Sequence, residues 1–146
     1  MWATFRVGEA LLAVEATAVR EFLRRLETTP LPLGPRALEG LANLRGVVIP
    51  VLALDRWLGI GSGANGEAEP VVVVETGAGP VGWRVDEVGG VRPAPEGPLD
   101  ELPDAAPAEL RAASVGIGRL EDGIAFLLDP EACSALKSGQ APIGDG

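Results

Sequence analysis

The amino-acid sequence predicts an all-β fold, a barrel or a sandwich, and three observations carry that prediction. Short apolar runs recur along the chain with glycine-rich turns between them. Residues 71–74 are four consecutive valines, the pattern of a strand buried on both faces, so two layers must cover it. Asp122-Gly123, ahead of the apolar run 124–128, is a strong hairpin cue.

Taken in order, residues 4–7 and 10–14 flank Gly8-Glu9, a two-residue turn with the glycine first, as a type II′ hairpin requires. Residues 19–23 read as a half-exposed strand, because Arg20, Arg24 and Arg25 leave one side polar. Pro35 suits the first turn of a short helix over 36–40, which Gly40 would end. Leu41 and Leu44 lead into a tight turn at Arg45 and Gly46. Residues 47–54 then leave as a buried strand interrupted only by Pro50, so Arg45 is a charge held beside a core. Gly77-Ala78-Gly79 turns the valine strand towards another at 81–85. Asp129-Pro130-Glu131 supplies an N-cap, a proline at the first helical position and an acid at the second, starting a helix through about Lys137. Residues 59–70, rich in Gly, and 91–109, rich in Pro, Ala and acid, read as surface loops.

With 146 residues the chain suits one compact domain, with room for two lobes on one core. A formal charge of −9, from 21 acidic and 12 basic residues, argues against nucleic acid and anionic membrane surfaces as partners. Cys133 is the only cysteine and histidine is absent, so no intrachain disulfide is possible and a structural zinc site has no ligands. The apolar run 10–14 is too short for a signal peptide and nothing approaches a membrane span. The expected setting is the cytoplasm.

Catalytic chemistry finds little support. Gly59, Gly61, Gly63 and Gly66 lack the lysine and helix start of a phosphate loop, and Glu67 and Glu69 would repel an anion. Asp86-Glu87, Asp100-Glu101 and Asp104 offer carboxylates, but with no EF-hand spacing, His or Tyr they read as solvated charges. Cys133 has no basic neighbour and reads as an inert core residue. Trp2, Trp57 and Trp83 are either core aromatics or binding hot spots.

The segment 38–58, LEGLANLRGVVIPVLALDRWL, resembles the signature of the CheW-like domain, the coupling module of bacterial chemotaxis. Val19-Arg20-Glu21-Phe22, Thr29-Pro30-Leu31-Pro32, the run 81–86 and the closing segments 116–120 and 124–130 are similar to further blocks of that family, in the same order. The resemblance implies two SH3-like five-stranded barrels packed on a shared core, with short helices including a C-terminal one. The domain would cover 1–137, with sub-barrels of about 1–60 and 61–137 intertwined, and 138–146 would be a flexible tail. It further implies a non-catalytic adaptor without cofactor or metal. Its partners would be the cytoplasmic tip of a chemoreceptor and the regulatory domain of the histidine kinase CheA, in arrays at the membrane.

Residue by residue, the resemblance places Val19, Glu21, Phe22, Thr29, Gly40 and Arg45 at receptor-facing positions of the first barrel, with Val71 as a second-barrel position lining the same groove. Val19 and Val71 would form an apolar channel, and Glu21 and Arg45 an ion pair at its edge. Phe22 stands where the family often has Ile. Ala53 stands where it commonly has Asp, so the hydrogen bond of that Asp is missing or passes to Asp55. Arg84 stands where it usually has an apolar residue, which marks a face used differently here. The rival readings are an unrelated SH3-like peptide-binding module and a small hydrolase with a carboxylate pair. With no histidine and one unactivated cysteine, elemental analysis of the purified protein is expected to find no stoichiometric metal.

Overall fold

A computed structural model describes residues 1–31, 37–61 and 70–135. β1 (Trp2–Val7) and β2 (Ala10–Glu15) form a hairpin across Gly8-Glu9, and Gly8 takes φ +61°, the sign that the first central residue of a type II′ turn needs. A 3-10 turn, Ala16–Ala18, leads to β3 (Val19–Leu23). β4 (Leu38–Leu44), β5 (Val47–Ala53), β6 (Val71–Thr76) and β7 (Gly79–Arg84) join β3 in a five-stranded sheet of order β3-β6-β7-β5-β4, called lobe I. β8 (Glu87–Arg92), β9 (Ser114–Leu120) and β10 (Gly123–Leu128) join β1 and β2 in the order β8-β1-β2-β10-β9, lobe II. Helix α1 (Leu54–Trp57) follows β5, α2 (Ala108–Ala113) precedes β9, and α3 (Pro130–Ser134) follows β10.

The lobes repeat one plan. In each, two antiparallel hairpins are joined by a parallel pair, β5 with β7 and β10 with β2. The chain leaving the first edge strand curls round to make one bridge with the opposite edge, Thr29 with Leu41 and Asp100 with Ile117. Each sheet therefore closes towards a barrel. β3, β4, β5, β6 and β7 correspond to β8, β9, β10, β1 and β2.

Alternation along the strands sorts the apolar residues into three clusters. Val71 and Val73 point into lobe I with Ala42, Ile49 and Val51, while Leu11, Ala13, Ala125 and Leu127 fill lobe II. Val72 and Val74 turn the other way, into a layer between the lobes with Phe5, Leu12, Val14, Leu54 and Trp83. This is why all four valines are buried: a period of two serves both sides of the strand.

Several expectations need correction. The lobes do not divide near residue 60, since one sheet holds all the strands between Val19 and Arg84, and the other takes both flanks. Val71 and the β6–β7 hairpin thus share the lobe of Glu21 and Arg45. No helix ends at Gly40, because residues 38–40 already pair in β4, and residues 32–36 lie outside the described part. The expected loop 91–109 contains the end of β8 and the start of α2, whose Leu110 and Ala113 are buried among the alanines. Val47 and Val48 open β5 exposed rather than buried. The last hairpin turns at Glu121-Asp122, with Gly123 already paired to Leu120. Helix α3 has the expected cap, Asp129 Oδ1 accepting from the Glu131 N–H at 3.0 Å. Its continuation past Ala135, the tail 138–146 and residues 62–69 lie outside the described residues.

Packing dictates a glycine at position 40. A Cβ on Gly40 would lie 2.3 Å from the Thr29 carbonyl oxygen, a backbone atom already bonded across the bridge. Gly40→Ala is therefore expected to lower the thermal midpoint by the equivalent of about 1–3 kcal/mol. Gly61→Ala, where nothing lies within 4 Å, is expected to change it little; equal midpoints would remove the steric reading.

Candidate partner-binding site

The edges of lobe I meet at the β4–β5 turn. Arg45 and Gly46 take φ +51° and +89°, both left-handed as a type I′ hairpin requires. Glycine adopts this freely, whereas Arg45 incurs about 1–2 kcal/mol. Asn43 offsets part of that by accepting the Gly46 N–H on Oδ1 at 2.8 Å. So the Asn-Leu-Arg-Gly run is a turn with its own side-chain brace, and it aims Arg45 outward.

There Arg45 Nη2 donates to Glu21 Oε2 on β3, joining the two edge strands of the sheet. The side chains are 67% and 23% exposed, so the arginine stands in solvent rather than beside a core as expected. At such exposure an ion pair contributes about 0–1 kcal/mol, well below the cost of breaking a fully buried one.

The other sequence-selected residues fall on the same lobe in different settings. Phe22, next to Glu21, is 42% exposed. Val19 is half-buried against the layer between the lobes. Thr29 and Gly40 touch across the bridge, so the glycine serves an approach within the chain, and a bulky residue there would disturb the fold itself. Val71 is fully buried inside lobe I, paired with Leu23 and Arg84, and does not line an apolar channel with Val19.

A polar cluster that the motifs did not point to lies on the same lobe. Arg84 donates from Nε to Glu39 Oε1 at 2.9 Å and from Nη2 to Glu39 Oε2 at 2.5 Å, and Nη2 also reaches the Leu26 carbonyl at 2.9 Å. Thr28 Oγ1 donates to Glu39 Oε2 at 2.9 Å. The departure at Arg84 was the one sequence signal for this cluster. Burial pushes the Glu39 carboxyl up, but the hydrogen bonds from Arg84 and Thr28, with the charges of Arg84 and Arg56, outweigh it and hold it below its ordinary value.

The remaining candidates resolve into structure. Ala53 is the N-cap of α1 and gives no side-chain bond, and the Asp55 carboxylate accepts only from the adjacent Arg56 N–H among the bonds described. Asp86 accepts the Gly8 N–H at 2.6 Å, bracing the β1–β2 turn. Trp83 is buried, and its Nε1 donates to Ser134 Oγ at 3.2 Å; Trp57 Nε1 donates to the Cys133 carbonyl at 2.6 Å. Cys133 is buried, and burial, helped by the charge of Asp129, pushes its thiol far up.

Two closed β-lobes on a common core, with braced hairpins and apolar residues exposed at their edges, define a paired-barrel protein. The chain belongs to the CheW-like domain family, which matches residues 2–137. It is 28% identical to the chemotaxis protein CheW of Rhizobium meliloti over 86% of this chain and 81% of that protein. It is 40% identical to the protein FrzA of Myxococcus xanthus over 62% of this chain and 57% of that one. The crystal structure of the scaffolding protein TtCheW from Thermoanaerobacter tengcongensis superposes with a TM-score of 0.80 at 25% identity, covering 95% of this chain and 94% of that one.

Arg45→Ala is expected to cost under about 1 kcal/mol in denaturant unfolding, because the pair it breaks is exposed. Acid should act through Glu39. A carboxyl lowered by folding stabilises fully above its unfolded value of 4.5 and loses that contribution as pH falls through the lower folded value. The difference in thermal midpoint between wild type and Glu39→Gln is thus expected to be constant at neutral pH and to shrink below about pH 4.5. A difference that grew on acidification would reject this assignment.

Proposed function

We propose that this chain is a chemotaxis coupling adaptor that joins a chemoreceptor tip to the regulatory domain of the histidine kinase CheA, by binding alone. The family match across both lobes carries the adaptor reading, and the relative of known structure is described as a scaffolding protein. The match over the whole domain disfavours an unrelated SH3-like module. A hydrolase with a carboxylate pair gains nothing from Asp86, which is engaged with the Gly8 amide.

An adaptor must hold two partners at once, and each lobe has exposed apolar side chains on strands that also carry an ion pair. Phe22, Val47 and Val48 are exposed in lobe I, Phe22 following Glu21 on β3 but on its opposite face, and Val47 and Val48 following the Arg45-Gly46 turn at the start of β5. Val91 and Ile124 are exposed in lobe II, on β8 and β10, beside Arg92 and Asp122, which pair at 2.8 Å. In our reading the receptor tip, a helical hairpin, lays its apolar face on the lobe I edge with Arg45 fixing its orientation. The kinase domain takes the other edge. No helix among the described residues is long and apolar enough to cross a membrane, so recruitment to an array would run through the receptor.

The test is a pair of pull-downs, with a receptor cytoplasmic fragment and with the kinase regulatory domain. Phe22→Asp is expected to lose the receptor and keep the kinase domain, and Ile124→Asp the reverse, both with an intact thermal transition. Receptor capture that survives both Phe22→Asp and Arg45→Glu would place the receptor site elsewhere.

A further inference from the structure

Glu39 occupies a bulge. Leu38 pairs with Leu52 and Gly40 with Val51, so one residue of β4 is left over between them, and its carboxylate lies across β5 on the end of β7. There it meets Arg84, whose neighbour in register on β5 is Ala53. One guanidinium, 14% exposed, thus ties together two non-adjacent strands and the Leu26 carbonyl of the connection that leaves β3. Thr28, one residue before the bridge residue Thr29, is held by the same carboxylate.

Lobe II serves as an internal control. It has the same bulge in the same place, since Leu127 pairs with Gly116 and Leu128 with Ser114, leaving Val115 over. Val115 is exposed, and the position corresponding to Arg84 is Glu15, at the end of β2, whose carboxylate accepts from Thr17. Lobe II closes with its own bridge at Asp100 and Ile117, with no such cluster among the described residues. Barrel closure therefore does not require it.

We propose that Arg84 is a positioning residue: through Glu39 and the Leu26 carbonyl it fixes the connection from β3 to Thr29, and with it the edge of lobe I that meets the partner. This rests on the reading of that edge as the receptor surface. The connection has one backbone bridge to hold it, the reciprocal Thr29 and Leu41 bonds of 2.7 and 2.9 Å, and Arg84 grips it three residues earlier. A segment held at both points meets its partner already ordered, and one held at a single point must be ordered on binding. The fixed geometry needs the planar fork of an arginine, which makes two bonds to one carboxylate and a third to a carbonyl.

The experiment compares wild type with Arg84→Leu/Glu39→Leu, Arg84→Lys and Phe22→Asp. Amide exchange at Thr29 and Leu41 is measured in the free protein, together with the thermal midpoint and titration by a receptor cytoplasmic fragment. The double leucine variant is expected to keep its midpoint, because replacing a mostly buried ion pair by apolar groups is often neutral. Its Thr29 and Leu41 amides should exchange faster and its receptor affinity fall about tenfold, as when a tenth of the molecules hold the competent arrangement. Arg84→Lys keeps the charge without the fork and should recover only part of both. Unchanged exchange in the double variant overturns the proposal with no partner involved. Wild-type affinity of that variant, while Phe22→Asp still loses binding, overturns it too and leaves the receptor surface standing. Loss of exchange protection with Phe22→Asp binding normally supports the positioning role and removes the surface reading instead.

Discussion

Phe5 of lobe II and Trp83 of lobe I meet with ring centroids 6.0 Å apart, inside an apolar layer that neither lobe can complete alone. The rest of the structure depends on that layer. Each sheet has an inner face that fills its own barrel and an outer face that needs the other lobe, so β2 and β6 are apolar on both sides. Small barrels bury little surface and are marginal singly, and pairing them adds a third core at no cost in length. The helices seal the arrangement across the lobes. Helix α3 leaves lobe II and receives the indole N–H groups of Trp57 and Trp83 from the other side, while Leu54 of α1 enters the layer that holds Phe5.

With the interior committed to packing, the charged side chains gather at the edges and turns. The charged pairs at the two seams run in opposite senses, acid on the edge strand and arginine on the turn in lobe I, arginine on the edge strand and acids on the turn in lobe II. Exposed pairs of this kind add little stability and are screened by salt. In the proposed binding role they would serve orientation, marking each apolar edge with a distinct pattern of charge.

What the residues revealed and what they hid follow from local and non-local physics respectively. The Gly8-Glu9 turn, the β3 strand, the valine strand and the Asp129 cap were legible because each is fixed by neighbours in sequence. Strand β8 and helix α2 were not, because Gly89-Gly90 and an alanine-rich stretch carry weak propensity and are ordered by what they pack against. The proximity of Glu21 and Arg45 came from family resemblance and is realised in the fold, whereas the placing of Val71 on a channel failed. Which of two faces a valine uses is decided by strand parity within a particular sheet.

By itself the sequence determined a β-rich chain of hairpins with an adaptor's family signature, since turn chemistry and apolar period are written in adjacent residues. Tertiary structure alone decided that the lobes interleave, with one sheet built from the middle of the chain and the other from both flanks. It also decided that Gly40 yields to Thr29 and that Arg84 reaches Glu39 across an intervening strand. Those contacts join residues 11 and 45 positions apart along paths set by bulges and barrel closure, and no local pattern encodes where a closed sheet brings its edges together.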